Sequence, residues 1–282
     1  MIINQEITIN NLKRDEFGRP SGVILLNKPA GITSHDLVAE VRKQLNYRKI
    51  GHAGALDRFS SGLMIILIGR ATKYSDKFMH QSKVYQTKVL LGVATETQDP
   101  EGEITEVKVV NPGALPKNLP EILNSFLGKQ QQFVSLYSSV KVAGKKLRVL
   151  MRDKRYRQEV IASLEKRQLK LIPVNQNNLK ELIINIPRKD IEISKINLLG
   201  KGTFLRSALP FTIPAKMLKV ENPEFPYLDL EIACSKGTYI RQFAEDLGAK
   251  LNLPACLISL KRTSIGNFIL QDSIKISDLR KS

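Results

Sequence analysis

Hydrophobic and polar residues alternate in several segments of this chain, which is the pattern of half-buried β-strands. The alternation is clearest in 83–91, where Tyr85, Thr87, Val89 and Leu91 share one face, and in 227–234, where Leu228, Leu230, Ile232 and Cys234 share one face. A short apolar segment at 23–26 predicts a buried strand, and an unbroken apolar run at 62–68 predicts a core element. Together these segments predict a sheet.

Three other segments place apolar residues at helical spacing. A polar pair at 33–34 is expected to cap a helix whose apolar face lies within 37–45. A second helix is expected after Gly237, and Pro120 is expected to open a third that ends at a Gly128 C-cap. Strands and helices therefore mix along the chain as in an α+β fold, built on a mixed or antiparallel sheet flanked by helices and loops.

The two ends and the middle of the chain are less regular. Residues 1–19 are polar and predict a loosely held N-terminal arm, so that 20–282 forms the main domain. Residues 141–170 hold eleven Lys or Arg and three Asp or Glu. Such a run is equally typical of a surface that faces nucleic acid and of a solvated helix.

Charge and composition narrow the class of partner. The formal charge of +17 and the pI near 9.8 indicate a polyanion-binding protein such as an RNA enzyme, although a ribosomal, DNA-binding or membrane-surface protein would share them. Apolar runs stop short of a membrane span and the first residues do not resemble a signal peptide, so we expect a cytoplasmic protein without membrane contact. Cys234 and Cys256 lack metal-ligand spacing, which predicts reduced, buried thiols and no metal.

Asp57 is the most informative candidate for chemistry. It lies in the glycine-rich segment GHAGALDRFSSG, directly before the apolar run at 62–68. Glycines allow the backbone to approach a ligand closely, and the apolar run would support the loop rigidly. Taken alone, however, an Asp among glycines more often closes a turn or caps a helix.

This segment resembles the GHxGTLDPxAxGLL signature of the TruB family of tRNA pseudouridine synthases, whose indispensable Asp falls at Asp57. Four further blocks resemble the family in the same order: GVILLNKPAGITSHDLVAEVRK, KVYQTKVLLGVATETQDPEG, CSKGTYIRQFAEDL and LKRTSIGNF. The CSKGTYIR stretch is the most specific and favours a stand-alone bacterial-type enzyme over guide-RNA-dependent relatives. The resemblance implies the pseudouridine synthase fold, the T-loop uridine of tRNA at position fifty-five as substrate, and no cofactor.

Making pseudouridine means breaking the glycosidic C–N bond of a uridine, turning the base and rejoining it through carbon. One carboxylate suffices, as a nucleophile at the sugar C1′ or pyrimidine C6 or as a base at the sugar C2′, and the sequence leaves these routes open. In a desolvated pocket the carboxylate needs a cation beside it to stay ionised. The resemblance implies that Arg241 is this cation, although by pattern alone an Arg in a first helical turn is more often solvated.

A base stacked inside an RNA loop has to flip out before it can enter a pocket. The resemblance implies that Tyr85 packs on the flipped base and is a candidate for the final proton abstraction, whereas by pattern alone it would be a core tyrosine. It also implies that His52 wedges into the RNA loop and that Leu260 lines the uracil pocket. Tyr239, in the CSKGTYIR stretch, is expected among the substrate-binding residues.

Lys28 and Pro29 match a family pair that shapes the far side of the pocket, although alone they indicate a simple turn. The chain departs from the signature at Ala55, Arg58 and Ser60, where the family has Thr, Pro and Ala. The loop therefore loses a proline restraint and gains a charge, and the sequence leaves the rigidity of the loop open.

The segment from about 155 to 226 is longer than the usual family connection, which implies insertions around a strand expected within 187–199. The segment after Phe268 is too short for the PUA domain that many relatives carry, so we expect a weaker hold on the acceptor side of tRNA. We expect a monomer that binds the T stem-loop. The alternatives are a non-catalytic tRNA-binding or tRNA-folding protein and a guide-RNA-dependent synthase.

Overall fold

The computed structural model describes residues 12–110, 115–162, 166–175, 179–218 and 223–279. The helices of this part are α1 (Ser34–Gln44), α2 (Ser75–Met79), α3 (Leu119–Asn124), α4 (Leu147–Met151) and α5 (Ile240–Lys250). Its strands are β1 (Gly22–Lys28), β2 (Ile50–His52), β3 (Ser61–Ile68), β4 (Lys83–Leu91), β5 (Val93–Thr95), β6 (Ile104–Val107), β7 (Gly128–Phe133), β8 (Lys141–Val142), β9 (Lys145–Lys146), β10 (Tyr156–Ala162), β11 (Arg167–Pro173), β12 (Leu182–Asn185), β13 (Arg188–Leu205), β14 (Glu224–Cys234), β15 (Ala255–Ile265) and β16 (Phe268–Ile269).

The central sheet has the strand order β1-β3-β15-β4-β14-β13-β7, with β2 added to β3 and β16 added to β15. Strands β15 and β3 pair in parallel, through Lys261 with Ser61 and Arg262 with Gly62. The other neighbours in this sheet pair antiparallel. The sheet is therefore mixed, which confirms the predicted α+β class.

Two apolar clusters cover the sheet and meet near Tyr85. One joins β14 and β15 to α5 through residues such as Leu230 and Phe243, and the other joins β1 and β3 to α1 through residues such as Leu37 and Ile66. Tyr85 packs against both clusters. Burial of one Leu or Ile side chain contributes about 1.5 to 3 kcal/mol, so each cluster holds its helix firmly on the sheet.

The main elements occur where the periodicity predicted them. The segments 62–68, 83–91 and 227–234 lie within β3, β4 and β14, and the helix predicted after Gly237 is α5. Thr33, rather than Ser34, caps α1, in a capping box with Asp36. Cys234 and Cys256 are both buried and unpaired, as predicted.

One prediction for the middle of the chain is wrong, and one of the two interpretations left open there is excluded. Helix α3 ends at Asn124 with Ser125 as its C-cap, and Gly128 instead begins β7 with a φ of 90°. The basic segment 141–170 is not a solvated helix. It forms the β8–β9 hairpin, α4 and part of a separate β10-β11-β12 sheet, whose apolar side chains pack into a cluster of their own.

The N-terminal arm lies partly outside the described residues, because the description starts at residue 12. The described part is not loose. Leu12 is buried in the cluster under α1, and Arg14 forms a β-bridge with Pro20. The side chain of Asp15 also accepts hydrogen bonds from the backbone N–H groups of Phe17 and Arg19.

The expected strand within 187–199 extends further, since β13 reaches Leu205. The β10-β11-β12 sheet precedes it, and a segment with short 3₁₀ turns separates it from β14. That these parts are insertions, and that 1–19 and 20–282 divide the chain, stay predictions. Within the described residues no helix has the length and apolar character needed to cross a membrane.

Candidate active site

The loop that carries Asp57 connects β2 to β3, and Arg262 of β15 holds it in place. This arginine is almost fully buried, and its guanidinium donates hydrogen bonds to the backbone oxygens of Leu63 at 2.8 Å, Gly54 at 3.1 Å and Ala55 at 3.3 Å. Because these contacts lie on both sides of Asp57, the ends of the loop are fixed to β15.

The residues that replace the family's Pro and Ala brace the loop. The Nε of Arg58 donates to the backbone oxygen of Gly31 at 2.9 Å, and the backbone N–H of Gly31 donates back to Arg58 at 2.8 Å. The hydroxyl of Ser60 donates to the backbone oxygen of Asp57 at 2.9 Å. These hydrogen bonds therefore restrain the loop at the positions where the family has Pro and Ala.

Lys28 supports the same loop from behind. Its side chain is fully buried, and its Nζ donates to the backbone oxygens of Ser60 and Ile32, both at 2.7 Å, and of Pro29 at 2.9 Å. Burial lowers the pKa of Lys28 to about 8. Lys28 and Pro29 do not line the cavity beside Asp57, so this structure places them in the support of the loop rather than on the pocket wall.

Asp57 forms an ion pair with Arg241. The Nε of Arg241 lies 2.9 Å from Oδ2 of Asp57, and its Nη2 lies 3.4 Å from Oδ1, so the guanidinium meets the carboxylate with two nitrogens. Arg241 is the second residue of α5 and its side chain is 7% exposed, whereas that of Asp57 is 43% exposed. The carboxylate is thus open to the cavity while its partner is enclosed.

Thr97 and Asp99 also hold the guanidinium of Arg241. Its Nη1 donates to the backbone oxygen of Thr97 at 2.9 Å and lies 3.5 Å from Oδ2 of Asp99. Burial raises the pKa of Asp99, although hydrogen bonds from Thr97 and the charge of Arg241 act in the opposite direction. The guanidinium therefore sits between two carboxylates that both line the cavity, Asp57 partly exposed and Asp99 buried.

Most of the predicted site residues line one cavity of about 1020 Å³. Six of the eight candidate residues line it: His52, Asp57, Tyr85, Tyr239, Arg241 and Leu260. The basic segment contributes Arg148 and Arg152 to the same cavity. The cavity therefore combines a carboxylate, aromatic and apolar walls, and cations suited to a polyanion.

Burial favours the uncharged forms of several of these groups. It raises the pKa of Tyr85 and of Tyr239, and it lowers the pKa of His52. The Nδ1 of His52 is buried and has no hydrogen-bond partner in the described part of the chain. The imidazole is therefore a neutral side chain at the cavity wall.

Two residues of the site were not singled out from the sequence. Asp99 lies in the KVYQTKVLLGVATETQDPEG block and Arg262 lies in the LKRTSIGNF block. Both residue types are mostly exposed in proteins, so their positions gave no sign of burial. Their presence inside blocks that resemble a family was the only signal in the sequence.

An arginine-paired carboxylate at the wall of a cavity that also carries Arg148 and Arg152 is the arrangement expected of an enzyme that acts on a polyanionic substrate. The chain matches the family model of the TruB family pseudouridylate synthase (N terminal domain) over residues 42–200. It is 34% identical to tRNA pseudouridine synthase B of Staphylococcus saprophyticus, over 92% of this chain and 71% of that protein. It is 35% identical to tRNA pseudouridine synthase B of Bacillus subtilis, over 92% of this chain and 70% of that protein. The chain belongs to the TruB family of pseudouridylate synthases.

Solved structures share the fold. A chain in the crystal structure of a Cbf5-Nop10-Gar1 complex aligns with a TM-score of 0.54 at 19% identity, over 98% of this chain and 60% of that chain. A chain in a structure of an H/ACA RNP bound to a substrate RNA containing 2'-deoxyuridine aligns with a TM-score of 0.52 at 19% identity, over the same shares of the two chains. This chain therefore spans about three fifths of their length, and the predicted pseudouridine synthase fold is confirmed.

Proposed function

We propose that this protein isomerises a uridine of tRNA to pseudouridine, with Asp57 as the catalytic carboxylate. The observation that carries the proposal is the two-nitrogen contact of Arg241 with Asp57 at the wall of the cavity. Membership of the TruB family supports the reaction, and relatives named tRNA pseudouridine synthase B support tRNA as the substrate.

In this proposal Arg241 orients Asp57 so that one carboxylate oxygen faces the flipped nucleotide. Both the nucleophilic and the elimination route need a carboxylate in this position, and both stay open. Tyr85 and Leu260 line the same cavity and would hold the base between an aromatic ring and an apolar side chain. Burial raises the pKa of Tyr85 above its ordinary value of 10.0, which disfavours the phenolate further and favours packing on the base over a direct role as the final base.

The finer proposal is that the substrate is the T-loop uridine at position fifty-five, presented by the T stem-loop. A stem-loop brings phosphates close to a flipped base, and Arg148 and Arg152 are exposed at the cavity where such phosphates would lie. His52, with a neutral imidazole at the cavity wall, is suited to contact an unstacked base rather than a phosphate.

The test is to incubate the purified protein with unmodified tRNA transcripts and map pseudouridine by chemical probing. We expect a single modified position, in the T loop, without added guide RNA. Asp57→Asn should abolish the modification and leave tRNA binding within a small factor, since the change removes a reactive charge without altering shape. Asp272→Asn, which changes an exposed carboxylate outside the cavity, is the matched control.

Other outcomes identify the alternatives. Wild-type protein that binds tRNA without modifying it would indicate a tRNA-binding or tRNA-folding protein. Modification that appears only after a guide RNA is added would indicate a guide-dependent synthase. Full activity of Asp57→Asn would contradict the role of Asp57.

A further inference from the structure

Arg167 links the β10-β11-β12 sheet to helix α5. It is the first residue of β11, the middle strand of this sheet, and its side chain is 9% exposed. Its Nη2 donates to Oε1 of Glu245 at 2.9 Å, and its Nη1 donates to Oε1 of Gln242 at 2.8 Å. Both partners lie on α5, within the two turns that begin with Arg241. One side chain thus connects the small sheet to the helix that carries Arg241.

Gln98 extends this contact to the loop beside α5. Its Nε2 donates to Oε1 of Gln242 at 3.0 Å and also contacts Glu245. The backbone of Gln98 has a φ of 64°, in the left-handed region that residues other than glycine rarely adopt. Such a conformation persists only where contacts with neighbouring residues restrain the backbone. The side-chain contacts of Gln98 with α5 contribute to that restraint, together with backbone hydrogen bonds to Thr95 and Leu257.

The two neighbours of Gln98 are the residues that hold Arg241. The backbone oxygen of Thr97 accepts a hydrogen bond from Nη1 of Arg241, and Asp99 lies 3.5 Å from the same nitrogen. The path therefore runs from Arg167 through α5 and residue 98 to the cation that contacts Asp57. Every step along it is a polar contact between named atoms or a peptide bond.

This network is polar where the surrounding core is apolar. The Nε of Arg167 is buried and has no hydrogen-bond partner among the residues that the structure describes. Apolar side chains of similar volume would stabilise such an interface as well or better, so stability alone does not account for a buried arginine here. A hydrogen-bonded network does fix the relative position of the elements that it joins.

We propose that Arg167 is a positioning residue that holds Arg241 against Asp57, by fixing α5 through Glu245 and Gln242. This inference rests on the proposed function, because Arg241 is taken as the cation of the catalytic pair. Arg167 does not line the cavity, so it acts through α5 and not by contact with substrate.

The same contact would connect bound RNA to the catalytic pair. Helix α4 packs on β11 through Leu147, Leu150 and Leu169, in the cluster that forms the core of the small sheet. Arg148 on α4 and Arg152 directly after it reach the cavity. RNA held by these two arginines is thus held on the same unit that Arg167 ties to α5.

The experiment compares Arg167→Ala with Lys170→Ala. Lys170 lies on the same strand, but it pairs at 3.2 Å with Glu181, which lies outside α5. The two measurements are the single-turnover rate constant at saturating unmodified tRNA transcript and the Kd for that transcript. We expect Arg167→Ala to lower the rate constant about tenfold or more, since it removes charge-assisted hydrogen bonds, and to leave the Kd within about threefold.

Lys170→Ala should leave both quantities near the wild-type values. Arg167→Lys should recover part of the lost rate, because an ammonium can still reach one oxygen of Glu245 but cannot also reach Gln242. If Arg167→Ala does not fold, Glu245→Gln takes its place, since the side chain of Glu245 is 40% exposed and the change keeps its shape.

An unchanged rate constant in Arg167→Ala, or in Glu245→Gln where that variant takes its place, would overturn the proposal. So would an equal loss in Lys170→Ala, or a loss confined to the Kd. Wild-type protein that modifies no tRNA would instead overturn the proposed function. That result is obtained before any variant is made, so the two failures are distinguishable.

Discussion

Arg241 contacts Asp57 with Nε and Nη2 while its Nη1 is bonded to the backbone of Thr97. A lysine has a single ammonium and cannot occupy these three positions at once. We therefore expect Arg241→Lys to lower kcat/KM by about 10- to 100-fold, the equivalent of about 1.4 to 2.7 kcal/mol, and Arg241→Ala to lower it further. Steady-state kinetics on a tRNA transcript measures the effect.

The matched control for this change is Arg42→Lys. Arg42 is also helical and its Nη2 bonds to the backbone oxygen of Ile50 at 2.6 Å, but it does not line the cavity. Equal kcat/KM for Arg241→Lys and wild type would mean that the carboxylate needs only a nearby charge and not the two-nitrogen geometry.

At the scale of single residues, the sequence predicted the Asp57–Arg241 pair better than the residues that support it. Asp57 and Arg241 could be predicted because each lies in a block with its own family signature. The roles of Lys28 and Arg262 could not be predicted, since their partners are backbone oxygens that only the fold brings near. No periodicity in a sequence records which carbonyl a buried cation will meet.

At the scale of elements, the parallel contact of β3 with β15 decides where the Asp57 loop ends. Gly62 has a φ of 110°, and a Cβ atom there would lie 2.3 Å from the backbone oxygen of Arg262. We expect Gly62→Ala to lower the free energy of unfolding by about 3 kcal/mol or more, because backbone strain and a clash with main chain add together. Chemical denaturation measures this difference.

Gly31→Ala separates the two contributions. Gly31 has a φ of 91°, but a Cβ atom there would meet no atom within 4 Å. Only the strain remains, so the loss should be about 1 to 2 kcal/mol. Equal losses of unfolding free energy in the two variants would show that the close approach of β3 and β15 does not contribute to the cost of Gly62→Ala.

Helix α5 carries a pH dependence through Asp246. Burial raises the pKa of Asp246 from its ordinary value of 3.8 to about 6, although Gln242 donates a hydrogen bond to it at 2.8 Å. Between these two values the folded state binds more protons than the unfolded state. The free energy of unfolding therefore falls as the pH rises through this window and stays lower above it.

Asp246→Asn removes this titration. Relative to the variant, the wild type should lose on the order of 2 kcal/mol of unfolding free energy between about pH 4.5 and about pH 7.5. Urea denaturation of both proteins at the two pH values gives the comparison, and Asp272→Asn, at an exposed carboxylate, controls for the loss of one charge. A difference between wild type and Asp246→Asn that is independent of pH would contradict the raised pKa.

Long, strongly periodic elements were predictable because a helix or strand of this kind buries a whole face. Strand β14 and helix α5 are examples, with apolar residues at regular spacing from Leu228 to Cys234 and from Ile240 to Leu247. The β8–β9 hairpin and α4 were not predictable, since elements of two to five residues are too short to show a period. Gly128 was misplaced because a glycine with positive φ serves a strand entry as well as a helix C-cap.

At the scale of the whole molecule, the formal charge of +17 does not mean that every cation is equally available to bind RNA. In the basic segment 141–170, Arg155 pairs with Asp153 at 2.6 Å, Lys170 with Glu181 and Arg167 with Glu245. These cations have partners within the protein and are less available to phosphate. A monomeric state and a cytoplasmic location stay predictions at this scale.

Four of the exposed cations of the same segment are chosen as candidate RNA contacts: Lys141, Lys145, Arg148 and Arg152. Each phosphate contact contributes close to one unit to the dependence of log Kd on log salt concentration. We expect a variant with all four changed to Gln to lose about 3 to 4 units of this slope, roughly half of it if about eight phosphates are contacted in total. Filter binding of a tRNA transcript over a range of salt concentrations measures the slope.

The matched control changes Lys73, Lys77, Lys201 and Lys216 to Gln, which removes the same net charge from exposed positions outside the cavity. Net charge alone would lower the slope equally in both variants, whereas phosphate contacts at the basic segment lower it mainly in the first. An unchanged slope in the first variant would place the RNA surface elsewhere. It would also remove the reason to expect that RNA on α4 and the small sheet is coupled to Arg241, while leaving the catalytic pair itself untouched.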